Sequence, residues 1–325
     1  MKRGLVAGGL SLALLVGLAG LLLGGWSDRA SAPPGEASQR PRACSANVEP
    51  DVRQRAICRG TWVRPARRDF VPQGLVLGAG DEAVISGYRA GRPGHRPCQL
   101  LVVDRRTGDV SHRIRRIEYA AAGRDPIFCR HGGGLARSPE GVWVAETGRL
   151  WLLDGAALAR GDAVVLRWWR VNPPVRGSVL VRRGGSLGIV GWSPRRPLRT
   201  YWVRVDLLMA SGITGVSRDS MAGTVAPERS TRAPRWVQGA ASGPGGVWYA
   251  ASTTYCGVLQ RPDGTRLAFI PGAEGMAFDG DRLWVVSESG AAGYRGVDGR
   301  PVVPTLVSLD PDELDPDTPT GCAWE

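Results

Sequence analysis

The chain has 325 residues, with 46 glycines, 24 prolines and 12 tryptophans against 4 phenylalanines, a turn-rich composition that excludes long-helix architectures and favours β-structure. Its formal charge is +12, almost all of it arginine because Lys2 is the sole lysine, whereas residues 273–325 carry eleven acids against three arginines. The arginine excess reads as compositional bias, and without interleaved aromatic and basic residues nucleic acid is not an expected partner.

Residues 4–26 form a continuous, weakly polar, Gly-rich run between Lys2-Arg3 and Asp28-Arg29, long enough to span a bilayer with its positive end inside. Ala30-Ser31-Ala32 resembles a signal-peptidase site, but Pro33 follows it and lacks the amide N–H, which disfavours cleavage. We therefore expect residues 1–26 to remain as a membrane anchor with the rest of the chain outside; a cleaved signal and a secreted protein is the alternative. Residues 27–56, Pro-rich and without apolar periodicity, read as a linker. All six cysteines follow the apolar run, an arrangement suited to disulfides; none forms a C-x-x-C pair and histidine is scarce, so a metal site is not expected.

From residue 57 a repeat emerges. Each unit opens on a polar-Gly pair (Gln73-Gly74, Gly133-Gly134, Arg176-Gly177, Gln238-Gly239, Glu274-Gly275) and continues into an apolar run. A second run follows a Gly-rich turn, as in Gly141-Val142-Trp143-Val144-Ala145 and Gly246-Val247-Trp248-Tyr249-Ala250, and a third ends on Asp, as in Leu150-Trp151-Leu152-Leu153-Asp154. Turns such as Thr107-Gly108-Asp109 lead to a fourth. Four strands per unit, the inner ones continuously apolar, predict an all-β propeller of stacked four-stranded blades over residues 57–315, with an acidic tail at 316–325. Five blades are legible, a degenerate sixth fits within residues 207–234, and the outer strand missing from the fifth is expected from residues 58–63. A β-sandwich shares the strand spacing but gives no reason for the recurring polar-Gly start.

The fifth unit, Ala273-Glu274-Gly275-Met276-Ala277-Phe278-Asp279-Gly280-Asp281-Arg282-Leu283-Trp284-Val285-Val286-Ser287, resembles a blade of the SMP-30, NHL and strictosidine-synthase-like propellers, and Gln73-Gly74 and Gln238-Gly239 resemble weaker copies. The resemblance implies a bacterial secreted or membrane-anchored propeller and says little of activity. The lactonases of this kind hold a divalent cation with a glutamate, which Glu274 matches in position, together with Asn and Asp. Here the only asparagines are Asn47 and Asn172, so no lactonase, metal or cofactor is expected.

Blade geometry gathers the starts of first strands and the ends of second strands at one mouth of the channel. This places Gln73, His131, Arg176, Gln238 and Glu274 at the entrance, with Tyr88, Glu146, Trp192, Tyr255 and Glu288 just outside. Such a ring suits a polar ligand, although channel-lining ends are also simply solvated in many propellers. No G-x-S-x-G elbow, H-E-x-x-H pair or phosphate loop occurs. His131, ahead of a Gly run, is the one candidate for acid–base work. The acidic stretch from Asp310 to Asp317 lacks the Gly of a calcium loop and is interrupted by Pro311 and Pro316, so it reads as a solvated strand end.

The sequence thus predicts a binding or scaffold module whose unknown small molecule, polymer or protein meets the channel mouth. An envelope hydrolase or lyase using His131 with Glu274 or Glu288 is the runner-up. The blade reading also pairs Cys98 with Cys129, because the loops carrying them emerge on one face; Cys44 with Cys58 and Cys256 with Cys322 are the remaining guess, with Cys58 to Cys322 open. If residues 4–26 stay in place, the full chain remains in the membrane pellet after carbonate washing. A soluble form beginning at Pro33 overturns that topology.

Overall fold

Continuously apolar segments bounded by Gly-rich turns form strands packed on both faces, and the observed sheets follow that rule. The structure, a computed structural model, describes residues 44, 55–91, 96–295 and 301–324, all within one unit, Arg42–Glu325. The expected anchor and most of the linker lie outside the described residues.

Strand β1 (Ile57–Thr61) comes first in the chain but belongs to the last sheet. The first sheet is β2 (Phe70–Leu77), β3 (Glu82–Arg89), β4 (Cys98–Asp104) and β5 (Val110–Ile114). A ribbon of β6 (Glu118–Tyr119) and β7 (Ile127–Phe128) leads to the second sheet: β8 (Leu135–Ser138), β9 (Gly141–Glu146), β10 (Arg149–Leu153) and, after helix α1 (Gly155–Ala159), β11 (Val165–Val171). The third sheet holds β12 (Val179–Arg183), β13 (Ser186–Val190) and β14 (Leu198–Arg204). Helix α2 (Val205–Met209), β15 (Gly215–Val216) and β16 (Thr224–Val225) intervene before its outer strand, β17 (Arg229–Ala233). The fourth is β18 (Val237–Gly243), β19 (Gly246–Ser252), β20 (Gly257–Gln260) and β21 (Arg266–Phe269). In the fifth, β22 (Ala273–Asp279), β23 (Arg282–Ser287) and β24 (Leu306–Leu309) are completed by β1, antiparallel to β24, as expected for chain-end closure.

Residues 207–234 supply no separate sheet: β15 and β16 add in parallel to the β11 edge, so the second sheet has six strands where the others have four. The segment is an insertion between the third and fourth strands of one blade rather than a blade of its own.

The core is divided between sheets. Val84, Val102, Val144 and Trp151 pack between the first and second, and Trp143, Leu180, Leu187 and Val203 between the second and third. Val181, Trp202, Val237 and Tyr249 lie between the third and fourth, and Trp248, Leu259, Met276 and Val285 between the fourth and fifth. Leu75, Ile85, Trp284 and Val286 then join the fifth sheet to the first. The first strands β2, β8, β12, β18 and β22 touch their neighbours in the same cycle, which is a propeller-like arrangement around a central channel. Buried tryptophans fill these interfaces, and several keep the indole N–H bonded, Trp143 to Ser138 Oγ at 2.7 Å and Trp169 to the Leu208 carbonyl at 3.0 Å.

Three disulfides join Cys44 to Cys58, Cys98 to Cys129 and Cys256 to Cys322, with Cα separations of 4.2, 5.3 and 5.5 Å. The first ties the segment before β1 to that strand. The third sews the C-terminal segment onto the fourth sheet, where Trp324 stacks on Trp236 at 5.0 Å. Before it, the acidic turn Pro311–Glu313 is held by Arg261, which bonds the Pro311 carbonyl at 2.8 Å and Asp312 at 3.0 Å.

The inner strands approach so closely that a Cβ on Gly239 would collide with the Glu274 carbonyl oxygen, and one on Gly275 with the backbone of Gly74 and Leu75. Gly239→Ala should therefore cost at least about 3 kcal/mol, lowering Tm by roughly 6–12 °C. Gly155→Ala, where a Cβ meets open space, should stay within about 0.5 kcal/mol. Equal melting of the two variants would remove close strand approach as the basis of ring closure.

Candidate functional site

Three of the polar-Gly starts become β-bulges. The β2–β3 register slips between Pro72 and Gly74, the β18–β19 register between Val237 and Gly239, and the β22–β23 register between Ala273 and Met276. Gln73, Gln238 and Glu274 are thereby dropped from their ladders, and a bulge re-aims the side chain it frees. All three line one cavity of about 540 Å³ at the start of the inner strands, together with His131, Glu288 and Ser178. The other end of the same strands surrounds a cavity of about 360 Å³ lined mainly by apolar residues such as Leu75, Leu135, Leu180 and Met276. The amide and carboxyl side chains of the channel gather at the first mouth, whereas Arg137, Arg182 and Ser242 are the polar residues of the second.

Glu274 is 3% exposed and its Oε1 has no hydrogen-bond partner. Burial, reinforced by the charge of Glu288, raises its pKa well above the ordinary carboxylate value. Glu288, 7% exposed, accepts a hydrogen bond from Gln73 Nε2 at 3.1 Å, and the same nitrogen donates to the Pro72 carbonyl at 2.9 Å. These are buried carboxylates rather than solvated channel ends.

His131 reaches the cavity because its segment is pinned. The Cys98–Cys129 disulfide, the bridge between Pro97 and Arg130, and the His131 N–H donated to the Arg96 carbonyl at 2.7 Å hold two loops side by side. The His131 backbone adopts φ 57°, a left-handed conformation that few non-glycine residues take. Its ring stacks on Tyr88 at 4.6 Å, with the Arg96 guanidinium also over that tyrosine at 4.8 Å. Burial, then the Arg96 charge, lowers the His131 pKa, so the imidazole is neutral at pH 7. Tyr88 and Tyr294, hydroxyl to hydroxyl at 3.2 Å, complete this wall, and burial is the first cause of the raised pKa of each.

Arg176 is not among these residues. It follows a turn in which the Val175 and Arg176 N–H groups donate to the Asn172 carbonyl, and it opens instead into two neighbouring recesses. A Cβ on Gly177 would meet the Val190 carbonyl of its own sheet, whereas Gly74, Gly239 and Gly275 abut a neighbouring sheet, so the Arg176-Gly177 pair is out of register with the motif. Ser178 contributes to the cavity in its place. Glu146 is likewise elsewhere, bonded to Arg149 at 2.8 Å and to the Trp151 indole at 3.1 Å. Trp192 lines the cavity, and Tyr255 does not. The sequence carried no signal for Arg96 or Tyr294, which lie in connecting segments without periodicity.

No group of three His, Cys, Asp or Glu that could hold a metal occurs among the described residues. Two carboxylates flanked by amides and a serine do not reproduce the Asn/Asp set implied by the lactonase resemblance.

No protein-family profile matches the chain, and no curated protein matches it in sequence. Among solved structures it is similar to a luciferin-regenerating enzyme (10% identity, TM-score 0.37, covering 75% of this chain and 93% of that one). It is similar also to the virginiamycin B lyase of Staphylococcus aureus (11%, 0.37, 74% and 95%) and the aldose sugar dehydrogenase of Streptomyces coelicolor (15%, 0.33, 74% and 79%). The lyase and the dehydrogenase are β-propeller proteins. Similarity at this level transfers no activity, and the architecture described above rests on this chain's own sheet order and closed cycle of inner strands.

Because its folded-state pKa is raised, Glu274 opposes folding increasingly as pH rises from the unfolded carboxylate value towards the folded one, a range in which the unfolded chain gives up its proton first. Stability of the native chain should therefore fall with pH above about 4.3. Glu274→Gln should flatten that fall, and its Tm at pH 8 should exceed that of the native chain by about 2–4 °C per kcal/mol relieved. Parallel Tm–pH curves from pH 4 to 8 would show that Glu274 is not the group responsible.

Proposed function

We propose that the protein is a five-bladed β-propeller of the SMP-30, NHL and strictosidine-synthase-like kind, held by its N-terminal segment on the outer side of the cell membrane or secreted. It works as a binding or scaffold module whose ligand enters the polar mouth of the channel. The observation that carries this reading is the buried, unpartnered Oε1 of Glu274 facing a cavity walled by Gln73, Gln238, Ser178 and Glu288. A buried acceptor without a donor costs about 1–3 kcal/mol, a cost that a ligand donating an O–H or N–H group removes. The cavity volume suits a small polar molecule or a protruding group of a polymer or protein. Three disulfides favour an oxidising, extracytoplasmic compartment.

An envelope hydrolase or lyase is the second reading. It is favoured by an imidazole and a carboxyl group on one cavity, His131 with its pKa lowered by burial and Glu274 with its pKa raised by burial, the pairing of groups that acid–base catalysis uses.

A thermal-shift screen of sugars, polyols and small amines tests the binding reading. A ligand at about a hundred times its Kd should stabilise the native chain by about 2.7 kcal/mol, and Gln73→Ala or Glu274→Gln should abolish the shift. A flat screen, or a shift that survives both substitutions, counts against the mouth as the binding surface. Turnover of a screened compound that is lost in His131→Gln would favour the enzyme.

A further inference from the structure

Beside the polar mouth, two recesses of about 600 and 770 Å³ share Thr147, Pro173 and Arg176 and form one groove along the seam of the second and third sheets. Eight arginines line it against one carboxylate, Glu146. Glu146 is already engaged by Arg149 at 2.8 Å and Arg130 at 3.7 Å. Arg96, Arg170, Arg176, Arg196 and Arg218 have no ion-pair partner among the described residues. On other parts of the surface several arginines are neutralised: Arg105 lies 2.6 Å from Asp279, Arg113 2.9 Å from Asp69 and Arg261 3.0 Å from Asp312. Arginines without an ion pair among the described residues occur elsewhere on the protein too, Arg137 and Arg183 among them; what distinguishes the groove is that Arg96, Arg170, Arg176, Arg196 and Arg218 share one concave surface with a single carboxylate that is already engaged.

We propose that this groove binds an acidic polysaccharide, a glycan chain bearing carboxylates. Guanidinium groups offer a planar fork that matches a carboxylate with two parallel hydrogen bonds, and convergent, unpaired cations in a recess hold their field better than the same charges on a convex surface. The two recesses lie in series, as successive sugar units of a linear chain would require, and each falls within the usual range of ligand pockets. Trp192, 48% exposed, stands where the groove meets the channel mouth and presents a flat face; its ring is steadied by an edge contact with Trp236 at 5.5 Å. Neutral hydrogen-bonding groups, among them Thr147, Asn172 and Ser178, lie between the cations. A single-stranded nucleic acid needs a succession of stacking rings along its basic track, and this groove has only Trp192 and Tyr201. The proposal is independent of what occupies the mouth cavity.

Binding of the full-length chain, in detergent, to polygalacturonate, to neutral dextran of matched length and to single-stranded DNA tests it by titration at several salt concentrations. Polygalacturonate should bind and dextran should not, with affinity falling as salt rises. Arg176→Gln combined with Arg196→Gln should reduce the log–log salt slope by about 2, roughly one for each guanidinium removed. Arg137→Gln combined with Arg183→Gln removes the same charge from two exposed arginines at the opposite ends of β8 and β12 and should leave the slope unchanged. Absence of polygalacturonate binding at low salt, equal binding of dextran, tighter binding of DNA, or an equal decrease in both double variants would each overturn the proposal.

Discussion

The architecture depends on how closely the inner strands of neighbouring sheets approach one another. A Cβ at Gly74 would strike the Gly133 carbonyl, one at Gly134 the amide of Leu180, one at Gly239 the Glu274 carbonyl, and one at Gly275 the backbone of Gly74. These close approaches run from the first sheet to the second, the second to the third, the fourth to the fifth and the fifth to the first. The absence of a methyl-sized group at four of the five seams lets the sheets close around a narrow channel. The same dipeptides carry the chemistry, because the residue before the glycine is freed by the bulge and turned inward. Packing and site are therefore two consequences of one local motif, and a substitution in either half of the dipeptide disturbs the other.

That dual role explains what the sequence disclosed. Gln73-Gly74, Gln238-Gly239 and Glu274-Gly275 recur with a strand on each side, so both the repeat and the facing of the polar residue were legible. The closure by β1 was legible because the fifth unit lacked an outer strand and an apolar segment lay free at the other end of the repeat. The disulfide between Cys98 and Cys129 followed from loop placement rather than from spacing. The misplacement of Arg176 has the same root: in sequence Gly177 looks like the other motif glycines, and only its three-dimensional approach to Val190 shows that it serves its own sheet. Strands β15 and β16, two residues each, are too short to carry a period, so residues 207–234 resemble a hidden blade in sequence alone. Burial of Glu274 was illegible for a different reason. It arises from ring closure, a property of five segments far apart in sequence.

The charge distribution follows from the same geometry. Inner-strand walls are glycine and small apolar residues, and the arginines of this chain stand mainly on connecting loops and outer strands. Arg96, the one guanidinium on the mouth cavity, lies over the face of Tyr88. The polar mouth thus keeps two buried carboxylates, while the adjoining groove is lined by arginines with one carboxylate among them.

The two carboxylates are not equivalent. Glu288 accepts the Gln73 amide, whereas Glu274 has an oxygen without any donor, and the charge of the first adds to the burial that raises the pKa of the second. Burial and the neighbouring Glu288 charge both disfavour the ionised form of Glu274. The mouth consequently presents two differently supported carboxyl groups on the same cavity, one held by an amide donor and one with an oxygen free to meet a ligand. Gln73 makes that asymmetry possible: its amide is anchored on the Pro72 carbonyl at the bulge, so the hydrogen bond that distinguishes Glu288 from Glu274 is supplied by the same motif that closes the ring.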